Sequence, residues 1–372
     1  MGETSAVEGA GEGAGEGAAD GTQYEPRGPL SRVAANRVTV AALAPRVVGQ
    51  HVRAALRALR DGEAYGTKAV LEPTRDELRA LLGDAADAAY AEGERPNWKL
   101  SALVSINPSY GAVKIVGSHS YNRQHGDLRS TSTVLLYDKL TMQAVAILDG
   151  STLSAQRTGA YASVVIDRLL SQRARFSVFL FGAGRVAQAV VEDLQAHHPE
   201  RINTLYIRSR TQASAEAFVA QLAPHVSFAL VAAPTLDALP DCTLIVTASN
   251  ANAPLFEAWQ VGDASIVLHL GGDETPDELI RYTLEAGTVI CDDIDTVAHR
   301  RSQSLPLFFA RTGRSLEAMA NAYQVRNLWQ IMDEDTPYRL PALVTCVGLP
   351  VLDLYLAQHV YEMARDAEAC PG

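Results

Sequence analysis

Six consecutive residues carry the most readable chemistry in the chain. Gly182-Ala183-Gly184-Arg185-Val186-Ala187 follows the apolar run SVFLF and opens a stretch with helical periodicity. In that order the first glycine permits a tight turn, the second lets the backbone approach a pyrophosphate, and Ala187 lets helix and strand pack closely. The N-terminus of the helix adds amide donors and a partial positive charge. The pattern predicts a dinucleotide site at Gly182, Ala183, Gly184, Arg185 and Val186, with Thr247 beside it at the end of the run CTLIVT. Strands on both sides at βαβ spacing separate this from a bare glycine turn. The next strand, NTLYIRSR, leads into Thr211 with no carboxylate where an NAD-selective fold places Asp or Glu. Guanidinium and hydroxyl groups there suit a 2′-phosphate. Ser209, Arg210 and Thr211 therefore point to NADP, with NAD the alternative.

Composition narrows the partners. The chain has 372 residues, 47% hydrophobic and 20% charged, which is ordinary globular composition in a length that admits two domains. A formal charge of −11 disfavours nucleic acid or an anionic membrane surface as partner, because both require clustered Lys and Arg. No apolar stretch approaches 18 residues without a charge, so no membrane span is expected. The N-terminus lacks the basic and apolar regions of a signal peptide. Cys242, Cys291, Cys346 and Cys370 lie far apart with no CxxC and no His at ligand spacing. That predicts free thiols, no metal site and a reducing cytoplasm.

These residues need a scaffold. Residues 1–32 are Gly, Ala and Glu with almost nothing to bury, and read as a disordered tail. Helical spacing runs over 33–60 and 72–92. AVKIVGS, TSTVLLYD and QAVAILDG read as strands, the last two paired through the turn at Lys139–Met142, and 151–170 reads as a helix. From FSVFLF to GTVICDD, strands alternate with helices, which predicts an α/β fold with a Rossmann-type doubly wound parallel sheet over about 156–329. It is inserted in a second, α+β domain for substrate binding and dimerisation, formed by 33–155 and completed by the C-terminal helix within 330–372. A homodimer follows from that assignment.

Beyond the glycine turn, AVKIVGSHSYN, VLLYDKLTMQAVAILDGSTLSAQRTGA, LHLGGDETPDEL and VGLPVLD stand in an order and spacing that resemble the ornithine cyclodeaminase/mu-crystallin family. The resemblance covers roughly residues 95–360. It implies that Lys114 is the active-site lysine, facing nicotinamide and substrate amine. It implies that Arg157 holds the substrate's α-carboxylate and that Asp273 handles the amine or a water. A further carboxylate-binding residue falls at Arg75, with Lys68 and Lys99 as alternatives. Asp353 reads as a structural residue of a helix start. Where the family has P-x-N, this chain has Ser120-Tyr121-Asn122, which resembles the branch that oxidises an N-linked adduct and releases 2,3-diaminopropionate and 2-oxoglutarate. The ligand expected is thus a small amino acid or imine. Three activities stay open: net oxidation or reduction at a C–N bond, redox-neutral cyclodeamination, and non-enzymatic nucleotide binding as in mu-crystallin.

Overall fold

The computed structural model describes residues 43–86, 98–300, 302–333 and 338–369. The glycine-rich tail of 1–32, together with 33–42 and 87–92 of the expected helices, lies outside them.

The first sheet is an antiparallel meander. Its strands β1 (Tyr65–Leu71), β2 (Lys99–Ile106), β3 (Tyr110–Ser118), β4 (Ser130–Asp138) and β5 (Ala144–Asp149) pair in sequence order. Helices α1 (Pro45–Arg60) and α2 (Arg75–Leu82) flank β1 in the chain, α2 starting on a Thr74/Glu77 capping box. β3, β4 and β5 form where strands are expected. β1 and β2 are additional, and their pattern explains why. On β2, Ser101, Leu103 and Ser105 face inward and are buried, whereas Leu100 and Val104 face outward and are exposed. An outer face that is the more apolar one reverses the usual signature of a half-buried strand.

The second sheet begins after α3 (Gly150–Gly159) and α4 (Tyr161–Leu169). It runs through β6 (Phe176–Phe181), α5 (Arg185–His197), β7 (Ile202–Arg208), α6 (Gln212–Leu222), β8 (Ala229–Ala232), β9 (Leu244–Thr247) and β10 (Ile266–His269). Then come α7 (Asp277–Glu285), β11 (Thr288–Cys291), α8 (Ile294–Ala298), α9 (Ser304–Arg311), α10 (Leu316–Ala320), β12 (Arg326–Asn327) and β13 (Ala342–Thr345). The strand order is β12-β11-β13-β10-β9-β6-β7-β8, with every pairing parallel. This is the expected doubly wound sheet. Its runs LIVT, IVLH and ALVT are buried at every position, as strands covered on both faces must be. β13 extends the sheet past residue 329, where the sequence placed its end.

The last helix, α11 (Pro350–Ala369), leaves the large sheet and packs across β1–β4 and against α1 and α3. Ser105 Oγ donates to the Pro350 carbonyl at 3.2 Å, and Asn107 Nδ2 donates to Gln358 Oε1 at 2.7 Å. The inner face of the small sheet is thereby closed over by a helix whose first turn comes from the nucleotide fold.

Candidate active site

The glycine turn sits between β6 and α5, at the point where the strand order reverses from β6–β7 to β6–β9, the position at which such sheets bind ligands. Gly182 has φ +122°, and a Cβ there would lie 2.6 Å from the Ala248 carbonyl oxygen. Only glycine fits that turn. Gly184 is the N-cap of α5, and no side chain caps its first turn. A Cβ on Gly184 would meet nothing within 4 Å. Open space, uncapped amides and a helix of 13 residues fit a pyrophosphate. Arg185 Nη2 donates to Thr152 Oγ1 at 2.9 Å and ties this turn to α3.

The lysine of β3 is buried on the inner face of the small sheet. Lys114 Nζ donates to Asp353 Oδ1 at 2.8 Å and to Ser154 Oγ at 2.7 Å. Arg157, one helical turn after Ser154 on α3, donates from Nε to the same Asp353 oxygen at 3.3 Å. Lys114 and Asp353 are each 2% exposed, so one carboxylate neutralises two buried cations. Burial pushes the Lys114 ammonium down to about 8, against the attraction of Asp353. Asp353 itself is pushed up by burial but held below the usual carboxylate range by Arg157 and Lys114. Its Oδ2 is buried and has no hydrogen-bond partner among the described residues, so it keeps acceptor capacity for a substrate N–H.

The turn between β13 and α11 fixes Arg157 from the other side. Gly348 has φ +81°, and a Cβ there would lie 1.7 Å from Arg157 Nη1. Asp292, just past β11, holds that turn. Its Oδ2 accepts from the amides of Val347 and Gly348 at 3.0 and 2.7 Å and from the Tyr161 hydroxyl at 2.8 Å. The guanidinium therefore rests on a backbone surface that only glycine leaves open.

The fold brings Lys114 and Arg157 together as the resemblance implied, and corrects the reading of Asp353, whose carboxylate joins them instead of capping its helix. Asp273 stands elsewhere: its Oδ2 accepts from Arg311 Nη1 at 3.0 Å, and its Oδ1 is buried with no partner among the described residues. Neither oxygen bonds Lys114 or Arg157. Arg75 is exposed at the start of α2 and shares no sheet row with the cluster. Lys68 shares one with Leu103 and Lys114 across β1–β3. Thr211 accepts from the Ser214 amide as the cap of α6. Arg208 donates to the Ala233 and Pro234 carbonyls, leaving Ser209 and exposed Arg210 at the strand end. Thr247 is fully buried beneath the crevice and its hydroxyl has no partner among the described residues. Asp292 and Tyr161 carry no recognisable motif. Ser154 does leave a trace, standing at i, i+3 from Arg157.

A dinucleotide cradle on one sheet beside a carboxylate-seeking cluster on the other is the arrangement of an NAD(P)-dependent oxidoreductase. The model of the ornithine cyclodeaminase/mu-crystallin family matches residues 98–368. The chain belongs to that family and is an NAD(P)-dependent oxidoreductase of its type. A Delta(1)-pyrroline-2-carboxylate reductase of Bacillus cereus is 30% identical over 263 residues, covering 68% of this chain and 77% of the relative. The Thermococcus litoralis Delta(1)-pyrroline-2-carboxylate reductase, solved with NADH and L-proline, matches with TM-score 0.72 at 17% identity, over 88% of this chain and 95% of that one. An archaeal alanine dehydrogenase dimer with bound NAD matches with TM-score 0.70 at 20% identity, over 88% and 93%.

Proposed function

We propose that this enzyme reduces the C=N bond of small imino acids, or oxidises the matching amines, with NADP(H) as the preferred coenzyme and NAD(H) as the alternative. The observation that carries the reading is the buried Lys114–Asp353–Arg157 cluster. The nicotinamide, when bound, supplies or accepts a hydride at the substrate's α-carbon. Arg157, rigidly backed by Gly348, pairs with the α-carboxylate. Lys114, whose ammonium is brought near neutrality, passes a proton to the imine nitrogen in reduction and takes it back in oxidation. Imine, hydride and proton thus balance to amine. Asp353 keeps both cations in place and offers Oδ2 to the substrate N–H. Gly182, Ala183, Gly184, Arg185 and Val186 would hold the pyrophosphate, and Ser209 with Arg210 the 2′-phosphate. Asp273, with one buried oxygen unbonded, keeps the water-handling role only if ligand binding draws it towards the cluster. The narrower activity, hydrolysis of the oxidised adduct to 2,3-diaminopropionate and 2-oxoglutarate, rests on Ser120-Tyr121-Asn122 alone.

A second copy of the chain fits the outer face of the small sheet. Leu100, Val104, Ile115 and Ile147 are 36–52% exposed there, while α11 covers only the inner face. The dimer named for the alanine dehydrogenase supports a homodimer.

The test is turnover. Purified protein with NADPH or NADH and pyrroline-2-carboxylate or piperideine-2-carboxylate should lose absorbance in the reduced-nicotinamide band, faster with NADPH. Ammonia released from ornithine or lysine without net absorbance change would replace this reading with cyclodeamination. Silence in every assay would leave a binding protein.

A further inference from the structure

The coenzyme crevice has two walls. The glycine turn after β6 forms one, and the segment 248–251 after β9 forms the other, since the strand order reverses between these two strands. The two walls touch: the Ala248 carbonyl oxygen lies 2.6 Å from where a Cβ on Gly182 would stand. Behind the second wall lies a carboxylate outside the Lys114–Asp353–Arg157 cluster. Glu274 is 0% exposed. Its Oε1 accepts from the Ser249 amide at 2.9 Å and from the Ser249 hydroxyl. That hydroxyl accepts in turn from the Ala251 amide at 3.1 Å, which closes 249–251 into a tight turn. Gly271 leaves room for the acid, because a Cβ there would overlap the Glu274 carboxylate. The residue after Ser249 reaches the small sheet. Asn250 Nδ2 donates to Ser120 Oγ at 3.3 Å, and Asn250 Oδ1 accepts from Arg129 Nη1 at 2.7 Å.

We propose that Glu274 is a positioning residue for the nicotinamide half of the coenzyme, acting through Ser249 on the wall at 248–251. The glycine turn takes the pyrophosphate and the end of β7 takes the adenosine half, so the nicotinamide half extends over β9 and against this wall. Asn250 joins the same wall to the small sheet, whose β3 carries Lys114. A carboxylate is costly to bury, and an apolar side chain would serve packing alone at least as well. What the carboxylate adds is direction. Two hydrogen bonds to one residue fix the Ser249 peptide, and with it the Ala248 carbonyl that borders Gly182. The proposal concerns the coenzyme alone and holds for any substrate of the reaction.

The experiment is calorimetric titration of the full chain with NADPH and NADH and with their adenosine halves, 2′,5′-ADP and ADP. Glu274→Ala should weaken the tighter coenzyme roughly 10- to 100-fold, the effect of losing hydrogen bonds to a charged group, and its adenosine half by less than about threefold. Glu274→Gln, which keeps an acceptor for Ser249, should bind both as wild type does. Gly271→Ala displaces the carboxylate without removing it. It should repeat the selective loss, and it stands in where Glu274→Ala fails to fold. Equal weakening of coenzyme and adenosine half would mark a merely structural role and overturn the proposal. Wild-type affinity for the coenzyme in both alanine variants would overturn it too. So would a Glu274→Gln as weak as Glu274→Ala, since the acceptor for Ser249 would then not matter.

Discussion

Gly348→Ala makes the sharpest test of how the site is built. The added methyl would lie 1.7 Å from Arg157 Nη1 and 2.5 Å from its Cζ. Carbon contacts settle at about 3.5 Å, so the guanidinium must retreat by roughly 2 Å. It has little room to do so, being bonded through Nε to Asp353 and 7% exposed. A misplacement of 1 Å in a positioning group can cost about 100-fold in rate. We therefore expect kcat/KM on the best imine substrate to fall by at least roughly 100-fold, about 2.7 kcal/mol of transition-state binding. If Arg157 grips the carboxylate in ground and transition states alike, most of the loss should appear in KM. The φ of +81° adds a separate cost of about 1–2 kcal/mol to folding for a residue with a Cβ, read from chemical denaturation. Coenzyme affinity, measured by fluorescence titration, should hold, since Gly182 and Gly184 are untouched. A variant with the expected loss of stability but a kcat/KM within threefold of wild type would refute the claim that this turn positions Arg157. Parallel loss of coenzyme affinity would show general damage instead.

Two further outcomes follow from the same geometry. Lys114→Ala should lower kcat by roughly 10²–10⁴. The wild-type pH profile should show why: with burial holding Lys114 down to about 8, the protonated form persists below that pH, so imine reduction should fall above it and amine oxidation rise through it. Both limbs should vanish in the variant, and a limb that survives assigns the proton to another group. Val104→Glu places a charge on the exposed outer face of β2 and should convert a dimer to monomer in sedimentation velocity, while an unchanged sedimentation coefficient would move the interface elsewhere.

The features legible along the chain are local ones. The turn at 182–187 declares its ligand because the glycines, the apolar strand before them and the helix after them are adjacent in the chain, and backbone sterics alone select them. The parallel strands LIVT and IVLH were equally legible, since a strand buried on both faces is a continuous apolar run. Lys114 and Arg157 could be singled out by motif, each within its own segment. Their partner could not. Asp353 lies 239 positions from Lys114, and nothing in VGLPVLD distinguishes a carboxylate that caps its helix from one that crosses to another domain. That choice was made by α11 returning over the inner face of the small sheet. The candidates Arg75, Lys68 and Lys99 were equally out of reach: Lys68 lies on the inner face because β1 pairs with β2 in the register that sets it opposite Leu103. A shift of one residue would have turned its side chain to the outer face. Strand β2 hid its own identity for a related reason, since its inward positions carry the serines and lysine of a site and its outward ones the apolar side chains. Asp292 holds the turn through the amides of 347 and 348, a role that exists once β11 and β13 lie side by side and that no residue type announces.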